Sequence, residues 1–279
     1  TALQLNTTAD NNTGVGYAAL KSNTTGATNT ALGSFALNAN TTANENTAVG
    51  YSSMEENTTG LYNTAVGFKA LEANVSGERN TAIGRQALVN ATHSQNTAVG
   101  FNCLNDNTNG QYNTAVGSRA CKSNTTADYN VGIGVDALLN NTTGVKNTAV
   151  GALALDASST SSGNTAIGYE AMTNANGAIE SVAVGHQALE SNTTGDYNVA
   201  VGFKALSSIT TSGNCAAVGY KALINSTGGN NTAVGSSALQ ENTSGTQNVA
   251  VGALALDANT TSDHNTAIGH GSLGSNTGE

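Results

Sequence analysis

Proline and tryptophan are absent from this 279-residue chain, and charged residues make up only 10% of it. An array of packed helices would carry Leu, Glu and Lys on its surfaces. The scarcity of charge therefore argues against a helical repeat. Lys and Arg number 9 against 18 Asp and Glu, a formal net charge of −9 spread thinly along the chain, so no basic face is offered to nucleic acid. No apolar run approaches the ~18 residues that would insert into a membrane. The three cysteines, Cys103, Cys121 and Cys215, make an odd count without C-x-x-C spacing, and small buried side chains are the reading they favour. Strand alternation is expected to keep Cys103 and Cys121 from bridging.

Chemistry-bearing constellations are also missing. No G-x-x-x-x-G-K-[ST] or G-x-G-x-x-G stands in a strand-then-helix context, so no nucleotide cofactor is expected. His93, His186, His264 and His270 fall in distant parts of the chain, and no metal site is expected of them. Asp and Glu never recur as a pair in strand register, which argues against a calcium β-roll and against a carboxylate-based enzyme.

What the chain does contain is a period. Glycines stand at 16, 33, 50, 67, 84, 100, 117, 134, 151, 168, 185, 202, 219, 235, 252 and 269, with thirteen steps of 17 residues and two of 16. One small unit has been copied end to end, and each copy can bury its apolar face only by stacking on its neighbours. Residues 1–11 read as a partial N-terminal coil and 12–279 as a sixteen-repeat array. Both ends stop within repeat-like sequence, as the ordered part of a longer fibre would.

Aligned on the glycine, the unit reads N-T-A-V-G-x-x-A-L-x-x-N-T-T-G-x-x. The residue before the glycine is aliphatic in all sixteen copies, from Val15 and Leu32 to Ile268. β-Branched residues flanked by Asn and Gly predict a short strand at T-A-V. A second extended segment is expected at A-L, with N-T-T-G as its corner. The fold class that follows is all-β: a parallel β-solenoid of about sixteen coils, adjacent coils ~4.8 Å apart. The Asn four before the glycine, present in fourteen of sixteen copies, is expected to form an amide ladder from coil to coil. Consecutive apolar pairs, Ala-Val and Ala-Leu, suggest strands covered on both faces, hence an obligate oligomer.

The segments Asn63–Leu71 and Asn231–Leu239 carry a pattern that resembles phage tail-fibre and other trimeric surface-fibre repeats, and more distantly the heads of trimeric autotransporter adhesins. The resemblance implies a homotrimer, an extracellular place on a virion tail or cell surface, and a role in presenting receptor contacts. The position after each glycine varies, and Tyr17, Tyr51, Phe68, Phe101, Tyr169, Phe203 and Tyr220 are expected to form an outward stripe for a glycan or receptor. A bacterial adhesin or extracellular filament, and an ice-binding solenoid with a Thr row, are the alternatives. Sequons such as Asn23-Thr24-Thr25, Asn57-Thr58-Thr59, Asn74-Val75-Ser76, Asn124-Thr125-Thr126 and Asn192-Thr193-Thr194 read as corner chemistry.

Overall fold

A computed structural model describes residues 1–276, in two compact units divided between Thr143 and Gly144. Each T-A-V triplet forms a three-residue strand. In the first unit these are β1 (Thr13–Val15), β2 (Thr30–Leu32), β3 (Thr47–Val49), β4 (Thr64–Val66), β5 (Thr81–Ile83), β6 (Thr97–Val99), β7 (Thr114–Val116) and β8 (Val131–Ile133). The second unit holds β9 (Thr148–Val150), β10 (Thr165–Ile167), β11 (Val182–Val184), β12 (Val199–Val201), β13 (Ala216–Val218), β14 (Thr232–Val234), β15 (Val249–Val251) and β16 (Thr266–Ile268). Within each unit, strands pair in parallel with their sequence neighbours, like position on like position, as in Thr47↔Thr64, Ala48↔Ala65 and Val49↔Val66. The protein is an all-β parallel β-solenoid with a 17-residue repeat. Both 16-residue steps keep this register: Thr81 faces Thr97, and Ala216 faces Thr232.

The second strand expected at A-L does not form. Each coil has one strand, and the A-L segment is a run of turns in which the second and fourth residues after the glycine are left-handed. Lys69 and Leu71, for example, have φ of 55° and 53°. The two-sided alternation of a strand does not govern such a run of turns. Both Ala70 and Leu71 are fully buried inside one chain. The Ala-Leu pair thus needs no partner subunit, and that part of the argument for an oligomer falls. The turned backbone still reaches its neighbours: Lys69 N–H donates to Tyr51 O at 2.9 Å, and Leu71 N–H to Ala87 O at 3.0 Å.

The corner also differs from expectation. The left-handed residue there is not the glycine of N-T-T-G but the residue five before the coil glycine, with φ near 60° at Tyr62 (61°), Arg79 (56°) and Tyr129 (59°). The coil glycine itself ends the strand at φ between 121° and 142°, a region closed to side chains. A Cβ on Gly100 would lie 2.6 Å from the carbonyl carbon of Gly117 in the next coil. The positive φ is common to all sixteen copies and is what keeps them glycine. The close approach adds to it where a following coil is stacked, but not at Gly269.

Two asparagine columns stitch each unit together. The column four before the glycine works through side chain and backbone: Asn46 Oδ1 accepts the Asn63 N–H at 2.9 Å, while Asn46 Nδ2 donates to Gly60 O at 2.9 Å. The continuous amide-to-amide ladder lies instead at the Asn of N-T-T-G. There Asn40 donates to Asn23 at 2.7 Å, Asn57 to Asn40 at 3.2 Å and Asn74 to Asn57 at 2.8 Å, and each of the three also donates to the carbonyl three residues on. Ala91 interrupts this column, and Asn74 Oδ1 is left buried without a partner. The following Thr adds a hydroxyl bond to the next coil, as from Thr41 to Thr58 O at 3.2 Å. In low dielectric such ladders strengthen one another, and a missing member is costly.

Candidate functional site

Side chains one and three before each glycine leave the strand on the side away from the buried Ala between them. The result is an outward face with a Thr row and an aliphatic row. The aliphatic row is exposed at Val15 (54%), Leu32 (48%), Ile83 (40%) and Val116 (37%) and half-buried at Val49, Val66 and Val99. The Thr row is unbroken from β1 to β7; all five replacements, Val131, Val182, Val199, Ala216 and Val249, fall from β8 onward.

The expected stripe borders this face on the far side of the glycine. Tyr17, Tyr51, Phe68 and Phe101 are exposed in the first unit, Tyr169 and Tyr220 in the second, and Phe203 is half-buried. Centroids lie 5.6 Å apart for Tyr51 and Phe68, interplanar angle 12°, and 5.5 Å apart for Phe203 and Tyr220, at 13°. Stacked rings turn their faces to one another and only their edges outward. Sugar stacking on open ring faces, the contact the stripe was expected to make, is thereby restricted within those pairs.

Sequence reasoning missed Phe35. It stands two after its glycine, yet its ring reaches across to Tyr17 (5.3 Å) and Tyr51 (5.9 Å), filling the slot that Ser34 leaves. It also missed a second column, five before the glycine, on the near side of the strand. Tyr62, Tyr112, Tyr129 and Tyr197 are exposed there, and Tyr112 stacks flat on Tyr129 at 4.8 Å. The Tyr-Asn pair that precedes four of the sixteen strand triplets, at 62–63, 112–113, 129–130 and 197–198, was the available signal.

Cations decorate the rings. Arg79 lies over Tyr62 at 5.4 Å, Lys221 over Tyr220 at 5.2 Å, and Arg85 over both Phe68 (5.8 Å) and Phe101 (5.5 Å). Glu72, hydrogen-bonded to Lys69 at 2.8 Å, raises the lysine pKa. Glu170 raises that of Tyr169 by accepting a hydrogen bond from its hydroxyl and by its charge. Asp263 is held below the ordinary carboxylate value, first by the Thr246 N–H and then by the Thr246 hydroxyl.

The thiols are free and buried, and burial pushes Cys103 up to about 12 and raises Cys121 and Cys215 as well. Cys103 and Cys121 lie on the left- and right-handed turn segment, not on a strand, so alternation is not what keeps them apart. Cys103 Sγ instead donates to Ala115 O at 3.1 Å. Among the described residues no three His, Cys, Asp or Glu side chains gather as a metal site would require. A shallow depression of about 240 Å³ in the second unit is lined by Val145, Lys146, Ser162, Gly163, Ile179 and Glu180.

The fold and its repeated outward rows define a β-solenoid repeat protein. No family model matches the chain, and no curated protein matches it.

Proposed function

We propose that the chain is a structural fibre segment of the tail-fibre type, a virion shaft or receptor-presenting region outside the cell. Stiff coils would space many weak contacts to a cell-surface glycan or receptor, and linkage alone would raise their avidity. No catalytic step, metal or cofactor enters this reading. Its supporting observation is the aliphatic row that the strands turn outward, from Val15 through Leu32 and Ile83 to Val116. Soluble monomers seldom leave contiguous apolar surface of this kind uncovered. Further copies of this chain, three in fibres of the kind the sequence resembles, would cover it.

Light scattering on the whole chain tests this. A trimer has three times 27.7 kDa, about 83 kDa, and the outward substitution Val116→Lys should reduce it to the monomer with its circular dichroism unchanged. A wild-type mass of 27.7 kDa would overturn the reading. A cellular adhesin or filament would use the same coil, and recovery of the chain from purified virions or from cell envelopes separates the two. Ice binding draws on the unbroken Thr row of β1–β7. Exposed Tyr62, Arg79 and Tyr112 beside that row oppose contact with a flat crystal plane, and zero thermal hysteresis would retire the idea.

A further inference from the structure

In the first unit's ring ladder, one coil carries a cation where its neighbours carry rings. Arg85 follows Phe68 and precedes Phe101 in the same column, with its Cζ 5.8 Å and 5.5 Å from their centroids. The other cations nearby are neutralised: Lys69 by Glu72, Arg79 by Glu78 and Arg119 by Asp136. Arg85 is exposed and has no ion pair among the described residues. Cation–π attraction from two sides restrains the guanidinium without consuming its N–H donors. The second unit repeats the arrangement with an imidazole, His186, 5.3 Å from both Tyr169 and Phe203.

A restrained guanidinium fork with free donors matches a planar carboxylate, which it can grip through two parallel hydrogen bonds. We propose that Arg85, held between Phe68 and Phe101 on the glycine-side border of the strand face, is a carboxylate-binding site for acidic sugar residues of a surface polysaccharide. This rests on the reading of the chain as a receptor-presenting fibre. A sugar is favoured over an acidic peptide because hydroxyls flank the ring column. Tyr51 and Ser118 stand in that column two coils either side of Arg85 and offer hydroxyl partners to a polyol. An extended polysaccharide lying along the column would meet a new coil every ~4.8 Å, near the length of one pyranose unit. The rest of the chain is acidic, so the attraction is local and weakens with salt.

The test is calorimetric titration of the whole chain with oligogalacturonate at low ionic strength. Neutral cello-oligosaccharide and polyglutamate serve as comparison probes. Wild type should bind oligogalacturonate and neither comparison probe. Arg85→Ala should weaken binding about tenfold or more, as loss of a charge-assisted bidentate contact does. Arg85→Lys, which keeps charge but loses the fork, should fall between, and it serves if the alanine variant unfolds. Unchanged binding by both variants, no binding by wild type, or equal binding of polyglutamate would overturn the proposal. Solution mass is measured separately: an 83 kDa trimer that ignores oligogalacturonate sinks this site and leaves the fibre reading standing.

Discussion

Replacing Gly100 with alanine should be among the most damaging single-methyl changes in the chain. At φ of 142° this glycine occupies backbone space that an L-residue enters at a cost of about 1–3 kcal/mol. Its new Cβ would also lie 2.6 Å from the Gly117 carbonyl carbon, so the coils must part. The bonds that flank the contact, Gly117 N–H to Val99 O and Arg119 N–H to Phe101 O, both 2.8 Å, would stretch, at about 1 kcal/mol each. The total is about 3–5 kcal/mol, or a midpoint roughly 6–10 °C lower for a chain this long. Gly110→Ala is the control. Its Cβ is equally crowded, 2.8 Å from Asn124 Nδ2, but its φ is not positive, and Ala43 and Ala127 already occupy the same position in other coils. It should cost only the steric share, about 2 kcal/mol or less. Thermal melts followed by circular dichroism decide. Equal damage from the two variants, or a harmless Gly100→Ala, would refute the argument that backbone handedness governs the column.

Asn57→Asp keeps the shape of a buried side chain whose amide donates to Asn40 Oδ1 (3.2 Å) and Gly60 O (3.1 Å). It should cost about 3 kcal/mol or more at neutral pH. Burial raises the new carboxyl's pKa above its unfolded value, so the deficit should shrink as pH falls and the group protonates, which urea melts at two pH values would show. Cys103 near pKa 12 and the similarly raised Cys121 and Cys215 carry almost no thiolate at pH 8. Ellman's reagent should titrate them only after unfolding, and rapid native-state reaction would contradict their burial. Expression through a glycosylating secretory pathway should yield folded protein without glycan at Asn23, Asn57, Asn74, Asn124 or Asn192. These five are fully buried, and Asn23 and Asn192 donate from Nδ2 to Gly26 O and Gly195 O, each at 2.8 Å. A glycopeptide from any of the five in the folded fraction would refute that. Asp263 has a depressed pKa, so its hold on the Thr246 N–H should persist above the ordinary carboxylate value and be lost as pH falls through the lower folded one. Faster amide exchange at Thr246 in acid is the expected signature.

The coil was legible because its signals are of one kind: Asn, Thr, Ala, Val and Gly recurring in fixed columns fix strand, register and an inward Ala. Leu71 shows where legibility ends. Period-two alternation assumes negative φ throughout, and a buried leucine at φ 53° breaks that assumption without any glycine to announce it. Two inward neighbours therefore read as a two-faced strand. Asn57 shows a second limit, since corner geometry and amide stacking favour the same residue, and only the partner at 3.2 Å tells them apart. On the outward side, Phe35 was missed because a ring displaced by one position can still reach the same slot. Arg85 lay in the variable column beside the expected aromatic residues, but its lack of a carboxylate partner is a spatial fact that spacing does not carry.

The claim on which the rest depends is that one 17-residue coil is a self-contained, exchangeable layer. Removing residues 100–116 joins Val99 to Gly117 and deletes one layer with every column kept in step. Removing residues 100–108 joins Val99 to Asn109 and throws every later column out of step. Circular dichroism melts of the two deletion variants should show the first cooperative and near the parent midpoint, the second unfolded. If the longer deletion unfolds the chain, or the shorter one is tolerated as well, the stacked-layer account is wrong.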